Sequence, residues 1–324
     1  MRKVFFGVLS VFLIPLLPAQ EAAVNPRLAP DHPWSLGIST GVLFGQSEEI
    51  VYYDAKTSNK ISQLLWDIKP LVYAGVDFRY NRFRPETSWG LFTDFSFKIG
   101  LPGKTGIMED RDWTGQYTAT GAHIPDWLTH YSVHDNTTEN AFLGDAAVGL
   151  FFKIFGRFLV ITYLSYDFMY FSWRASGGSF LYPEKDGGHK YYTQPIDVIT
   201  YQQIWHIVSP GVAFYGAFNR YFTGEIALKA SPFIWCITED NHILRSLIIT
   251  DILDLGLFIE PQVLFSFIPA DFLTLSLAVS YRHISLVRGD SIYKEAGVSP
   301  IAYKNLAGVG YSVFDAGIVA KFSF

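Results

Sequence analysis

The chain has 324 residues and a formal net charge of −5, and 49% of its residues are hydrophobic, 17% aromatic and only 17% charged. So little charge beside so many aromatic side chains indicates a large surface that does not face water. The mild acidity argues against a nucleic-acid partner, which would need a basic face. A single cysteine, Cys236, excludes an internal disulfide and a cysteine-based metal cluster.

The N-terminus has the features of a secretory signal peptide. Arg2 and Lys3 supply positive charge, residues 4–17 form an apolar run, and small residues suited to a cleavage site follow. An uncleaved membrane anchor is the alternative, but the run is shorter than the roughly 18 residues of a spanning helix. We therefore predict a signal peptide over residues 1–22 and a single domain over residues 23–324.

From residue 34 onward the hydrophobic pattern has a period of two, which is typical of strands. In residues 273–282, Leu, Leu, Leu, Val and Tyr alternate with Thr, Ser, Ala, Ser and Arg. The chain ends on Phe324 after a similar alternation, which resembles the terminal signature of bacterial outer-membrane proteins. Ten strands are predicted, near residues 34–51, 60–80, 88–101, 139–154, 157–175, 192–218, 221–238, 245–267, 271–288 and 304–324.

The connections between these strands alternate between short and long, with the longest predicted over residues 102–138. Short periplasmic turns and longer outer loops are the pattern of a membrane barrel, whose outer face is apolar and whose lumen is polar. The predicted fold class is therefore all-β: a ten-stranded antiparallel transmembrane β-barrel with extracellular loops. A soluble sandwich would alternate too, but the signal peptide and the aromatic content favour the barrel.

Two short acidic motifs stand out in the predicted outer connections. Asp110 and Asp112 are two positions apart, so an extended backbone points both carboxylates the same way, as a pair sharing a water or a proton requires. Asp240 and His242 have the same spacing, and a carboxylate beside an imidazole orients the ring and stabilises its charged form. Taken singly, each motif is also what a solvated acidic loop looks like.

Strand order brings the two motifs to one mouth of the barrel. The Asp110 segment follows the third strand and the Asp240 segment the seventh, so both emerge at the extracellular end, as does Glu49 near the end of the first strand. Two carboxylates could then face a His–Asp pair across a water-sized gap. The sequence has no Gly-x-Ser-x-Gly elbow, P-loop or His-Glu-x-x-His motif. We therefore expect no metal and no cofactor, with His130 and His134 as the weak exception.

These segments resemble the omptins, a family of ten-stranded outer-membrane aspartyl-type endopeptidases. The resemblance spans much of the mature chain, and its segments occur in the family order. The matching segments are Met108-Glu109-Asp110-Arg111-Asp112-Trp113, Asp240-Asn241-His242, Lys60-Ile61-Ser62-Gln63-Leu64, Glu49-Ile50-Val51-Tyr52 and Ser172-Trp173-Arg174-Ala175-Ser176-Gly177-Gly178-Ser179.

The resemblance implies a hydrolase of peptide bonds at the cell surface, acting on peptide or protein substrates. Asp110 and Asp112 would hold and polarise the attacking water, His242 would accept its proton, and Asp240 would orient His242. Glu49 matches a family position that lines the pocket for a basic residue before the scissile bond.

Three departures from the family pattern concern specificity and lipid. Where omptins carry a second acid in the first pocket, this chain has Thr238, with neighbouring Glu239 as the candidate to compensate. The pocket on the other side of the scissile bond has His130 in place of an acid. These two changes put a preference for paired basic residues in doubt.

The third departure lies on the predicted lipid-facing surface. Omptins bind lipopolysaccharide through charged outward residues; here Tyr166 is kept, but Phe168, Tyr170 and Ile204 replace the charged positions. Outward charges are costly in a membrane unless they bind a lipid headgroup, so their replacement by apolar residues indicates that the usual lipopolysaccharide motif is lost. We still expect outer-membrane lipid as a partner of the barrel.

Two other functions fit a barrel. A catalytically silent omptin-like barrel could act as an adhesin or receptor, although this chain has all four catalytic positions. A small diffusion pore is the second alternative. The predicted lumen contains charged residues that would instead form a plug, because small barrels are commonly filled by side chains.

Overall fold

The computed structural model describes residues 33–84, 88–114, 128–181 and 189–324, so the predicted signal peptide lies outside the described residues. The described chain is built almost entirely of antiparallel strands, with one 3-10 turn at Ile243–Arg245. The strands are β1 (Trp34–Tyr52), β2 (Lys60–Arg84), β3 (Trp89–Gly100), β4 (Gly103–Asp112), β5 (His130–Phe155), β6 (Phe158–Leu181), β7 (Lys190–Tyr192), β8 (Asp197–Ala217), β9 (Phe222–Ser231), β10 (Phe233–His242), β11 (Leu247–Asp254), β12 (Phe258–Ala270), β13 (Leu273–Glu295) and β14 (Ile301–Ser323).

These segments form a closed ring of ten barrel strands. β3 and β4 together lie between β2 and β5, β9 and β10 both pair with β8, and β11 and β12 both pair with β13. Each of these pairs is one barrel strand interrupted by a short break, and β7 is a short addition to β6. β1 pairs with β14 from Ser35↔Ser323 to Val51↔Ala307, which closes the ring. The predicted all-β barrel is confirmed.

The strands reach further than the sequence pattern indicates. The predicted long connection over residues 102–138 contains β4 and the first part of β5, which pair with each other from Gly103↔Thr138 to Asp112↔His130. β6 likewise continues to Leu181. Beyond the membrane the outward side chains no longer need to be apolar, so the alternation that reveals a lipid-facing strand fades while the backbone pairing continues.

The barrel has an apolar outer belt near the end at which β1 begins and β14 ends. Trp34 and Phe324 are joined there by backbone hydrogen bonds of 3.2 and 3.0 Å. Large side chains such as Ile38, Ile226 and Ile318 are 61%, 64% and 61% exposed on the outer face. No helix in the described part of the chain is long and apolar enough to cross a membrane. We call the opposite end of the barrel the upper mouth.

The lumen is filled by side chains at the level of this belt. Lys229 lies within 2.9 Å of Asp145, 2.6 Å of Asp167 and 2.9 Å of Glu260, and Arg282 also contacts the last two. Above this charged plug, an aromatic layer crosses the lumen: the rings of Trp66, Trp173 and Tyr201 stack with centroids 5.3–6.1 Å apart. The two layers obstruct the channel and argue against a diffusion pore.

Candidate active site

The first pair of carboxylates lies on a strand and not in a loop. Asp110 and Asp112 are at the end of β4, which pairs with β2 on one side and β5 on the other. The strand directs both side chains inward, while Glu109 and Arg111 form an ion pair with each other. Asp112 is 9% exposed. One carboxylate oxygen of Asp110, Oδ1, is buried and has no hydrogen-bond partner among the described residues.

The second pair lies at the upper end of β10. Asp240 is 1% exposed, and its Oδ2 lies 2.7 Å from Nε2 of His242. The short distance means that Nε2 carries a proton and donates it to Asp240, which leaves Nδ1 as the nitrogen that can accept a proton. β10 ends at His242, and the 3-10 turn that follows carries Arg245.

The two pairs meet across the upper mouth. Asp110, Asp112 and His242 line one cleft of about 320 Å3, together with His130 and Arg245. The cleft is therefore bounded by side chains from β4, β5 and β10, which come from opposite parts of the ring. A peptide lying in the cleft would have the two carboxylates on one side and the imidazole on the other.

Burial and neighbouring charges shift the pKa values of Asp110 and His242. Burial, and next the neighbouring charge of Asp112, raise the pKa of Asp110 to about 8. The Asp110–Asp112 pair therefore retains a proton at neutral pH. Burial by itself lowers the pKa of His242, but the charge of Asp240 and the hydrogen bond to it offset that effect and leave the pKa above its usual value.

His130 and His134, the weak candidates for metal binding, are both engaged in hydrogen bonds. Both ring nitrogens of His134 are engaged, Nδ1 by the carbonyl oxygen of Gly177 at 2.5 Å and Nε2 by the hydroxyl of Ser132 at 2.8 Å. His130 hydrogen-bonds through Nδ1 to the Thr129 hydroxyl at 3.0 Å. Within the described residues no group of three or more His, Cys, Asp or Glu side chains could hold a metal ion.

Glu49 lies inward on β1, in the same cross-strand row as Asp110, because both are paired with Leu64 of β2. It is 1% exposed, and its Oε2 has no hydrogen-bond partner within the described part of the chain. Burial raises the pKa of Glu49 well above its usual value, and the charges of Asp240, Asp251 and Asp110 raise it further. The last exposed large apolar side chain of β1 is Phe44, so Glu49 lies above the apolar belt.

The expectation that Glu239 compensates for Thr238 is wrong. The two residues are adjacent on β10 and alternate between the faces of the sheet, so Thr238 points inward at 1% exposure while Glu239 is exposed on the outer face. A different acid, not indicated by any sequence motif, lies inward beside Thr238. Asp251 of β11 is opposite Thr238 in the strand register and is 2% exposed. The sequence could have indicated Asp251 only through its position on the inward face of a predicted strand.

The outer face of β6 carries the row in which the lipid contact was predicted to be lost. The hydroxyl of Tyr166 hydrogen-bonds to Nδ1 of His206 at 2.6 Å, and the ring of Phe168 lies 5.5 Å from the His206 ring. Tyr170 is paired with Ile204 in the register of β6 and β8. The row is thus aromatic and apolar, with one histidine.

A closed ten-stranded barrel with an apolar belt and an acidic cleft at its upper mouth defines an outer-membrane β-barrel with an external site. The family model described as "Omptin family" matches residues 31–324, and the chain belongs to this family. It is located in the outer membrane.

Named relatives agree with this assignment. The chain is 27% identical over 343 residues to the outer membrane protease IcsP of Shigella flexneri, which covers 99% of this chain and 100% of the relative. It is 25% identical over 238 residues to the plasminogen activator of Yersinia pestis, covering 71% of this chain and 69% of the relative. The crystal structure of outer membrane protease OmpT from Escherichia coli matches with a TM-score of 0.79 at 18% identity, covering 91% of this chain and 98% of that chain.

Proposed function

We propose that this protein is an endopeptidase that hydrolyses peptide bonds at the outer surface of the outer membrane. The observation that supports the proposal is the cleft in which Asp110 and Asp112 of β4 face His242 of β10. The family and its protease relatives support peptide hydrolysis in general. The chemistry of the cleft supports an aspartyl-type reaction in which water attacks the peptide directly.

In this reaction the attacking water lies between the two pairs of side chains. The Asp110–Asp112 pair accepts a hydrogen bond from the water, and the proton that the pair retains is donated towards the carbonyl oxygen of the substrate. Nδ1 of His242 accepts the second proton of the water as it attacks. Asp240 then stabilises the imidazolium, because its Oδ2 is 2.7 Å from Nε2. As the C–N bond of the tetrahedral intermediate breaks, the imidazolium donates its Nδ1 proton to the leaving amine nitrogen. The carboxyl pair recovers its proton from the newly formed carboxylic acid, which leaves as a carboxylate.

Protonation restricts this reaction to a window of pH. At low pH His242 is protonated and cannot accept a proton, so activity rises as pH passes the raised pKa of His242. Above the pKa of Asp110, about 8, the carboxyl pair loses its shared proton and repels a developing oxyanion. The proposal therefore predicts a bell-shaped pH dependence whose alkaline limb lies near pH 8.

Glu49 gives the site a preference for a basic residue before the scissile bond. Its buried Oε2 lacks a partner among the described residues, and a lysine or arginine side chain entering from the cleft would supply one. On the other side of the scissile bond, His130 replaces the acid of the family pattern. We therefore propose cleavage after a basic residue without a requirement for a second basic residue.

The proposed enzyme does not depend on lipopolysaccharide. The outward row of Tyr166, Phe168, Tyr170 and Ile204 offers a headgroup no lysine or arginine. Lipid contact at this row would be apolar, through acyl chains packing against the aromatic rings.

The test compares purified wild-type protein with Asp110→Asn on a panel of peptides analysed by mass spectrometry. Wild type is expected to cut peptides after Arg or Lys, and Asp110→Asn is expected to lose activity by about 10^2-fold or more. The matched control is Asp135→Asn, which removes an exposed carboxylate paired with Lys104 on the same barrel. A folded wild-type barrel that cuts no peptide would instead support a silent adhesin or receptor.

A further inference from the structure

Two clusters of buried acids in the described part of the barrel differ in charge balance: lysine and arginine neutralise the lower cluster but not the upper one. In the lower cluster, Asp167 and Glu260 contact both Lys229 and Arg282. In the upper cluster, Glu49 and Asp251 are 1% and 2% exposed, yet no lysine or arginine in the described ranges forms an ion pair with either. Buried carboxylates without a cation are costly, so they indicate a cation that arrives from outside.

The position of Asp251 is fixed by its strand neighbours. It is paired with Thr238 of β10 on one side and with Ser291 of β13 on the other. The hydroxyl of Thr238 donates a hydrogen bond to Oδ2 of Asp251 at 3.1 Å, which holds the carboxylate across the strand pair. The buried oxygen Oε2 of Glu49 lacks a partner in the described part of the chain, and Asp251 is among the charges that act on Glu49. Both acids are therefore buried side chains close enough for the charge of one to act on the other.

We infer that Asp251 is a specificity-determining residue, and that it and Glu49 together bind the cationic side chain of the substrate residue before the scissile bond. The inference rests on the proposed function. It assigns the second acid of this pocket to β11, one barrel strand away from Thr238. The Thr238 hydroxyl orients Asp251 through its hydrogen bond and contributes no charge to the pocket.

A guanidinium fits this pair better than an ammonium does. Glu49 is on β1 and Asp251 on β11, so the two carboxylates approach the ligand from different barrel strands. The planar fork of arginine can offer separate N–H groups to two acceptors at once, whereas a lysine presents one compact charge. The pocket is therefore expected to prefer Arg over Lys, and to discriminate strongly against a neutral side chain of the same shape.

The experiment measures kcat/KM for two peptides that differ only before the scissile bond, one with Arg and one with its neutral isostere citrulline. Wild type is expected to prefer the Arg peptide. Asp251→Asn, which keeps an acceptor for Thr238, is expected to reduce that preference by about tenfold or more, with cleavage of the citrulline peptide nearly unchanged. The matched control is Glu239→Gln, which removes a charge one position from Thr238 but on the outer face.

A second variant separates a lost charge from a damaged fold. The second variant exchanges the two residues, with Thr238→Asp and Asp251→Thr in one protein. It should restore most of the preference for Arg, because the two positions are opposite each other. If wild type prefers Arg and Asp251→Asn keeps the full wild-type ratio, the inference is overturned while the proposed function stands. If wild type cuts neither peptide, the proposed function fails and the inference with it.

Discussion

Replacing Asp240 by Asn tests the proposal that His242 accepts a proton and that Asp240 orients it. The side chain keeps its size, but the carboxylate that accepts a hydrogen bond from Nε2 of His242 at 2.7 Å becomes an amide. An amide NH2 facing Nε2 favours the tautomer with the proton on Nδ1. In that tautomer the nitrogen that faces the attacking water can no longer accept a proton.

The expected loss is large for one substitution. A hydrogen bond to a charged group contributes about 1.5–3 kcal/mol, and general-base catalysis contributes about 10^2–10^4-fold in rate. We therefore expect kcat to fall by roughly 10^3-fold. Because the charge of Asp240 raises the pKa of His242, its removal lowers that pKa and moves the acid limb of the pH profile to lower pH.

The assay is kcat against pH for a quenched fluorescent peptide, with folding checked by the heat-modifiable migration of the barrel on a gel. Asp197→Asn is the control, since that carboxylate is 45% exposed near the same mouth and pairs with Arg174 at 3.4 Å. The reasoning would be refuted by an Asp240→Asn enzyme whose kcat stays within about threefold of wild type and whose acid limb does not move.

Three further predictions concern stability and lipid. In urea unfolding, Asp110→Asn is expected to stabilise the barrel by about 2–4 kcal/mol at pH 9 and to leave its stability almost unchanged at pH 4. The pKa of Asp110 in the folded state, about 8, is above its unfolded value, so ionisation of Asp110 destabilises the native wild type as pH rises. An equal effect at both pH values would contradict this reasoning. Lys229→Ala is expected to lower the free energy of unfolding by about 3–5 kcal/mol in the same assay, because it leaves buried carboxylates without their cation. The control Lys153→Ala, at an exposed position, should change the free energy of unfolding little. Equal losses for the two variants would count against a stabilising role of the charged plug. Activity in detergent is expected to be similar with and without added lipopolysaccharide, since the row around Phe168 has no basic group; strict dependence on that lipid would contradict the proposal.

The barrel could be predicted from the sequence because lipid on one side and a polar lumen on the other impose a period of two. Residues 273–282 illustrate the pattern, and they lie within β13. The upper parts of the strands could not be predicted in the same way. Around Gly103–Asp112 both faces of the sheet are outside the lipid, so side chains of either kind are tolerated and only backbone pairing reveals β4.

The sequence predicts those features of the candidate site that depend on which face of a strand each residue occupies. Residues two apart on a strand share a face, which is why the spacing of Asp110 with Asp112, and of Asp240 with His242, carried information. The role proposed for Asp251 could not be predicted, because its place opposite Thr238 depends on the register between two strands. The same alternation excludes Glu239, whose carboxylate is adjacent in sequence but on the wrong face.

The most direct test of the central claim is peptide cleavage by purified, folded His242→Ala beside wild type and His206→Ala. His206 is an outward-facing histidine on the same barrel, hydrogen-bonded to Tyr166, so its loss should leave cleavage intact. The proposed mechanism predicts that His242→Ala loses about 10^3-fold or more in kcat while its barrel still folds. Undiminished cleavage by His242→Ala would contradict the claim that this cleft hydrolyses peptides through His242.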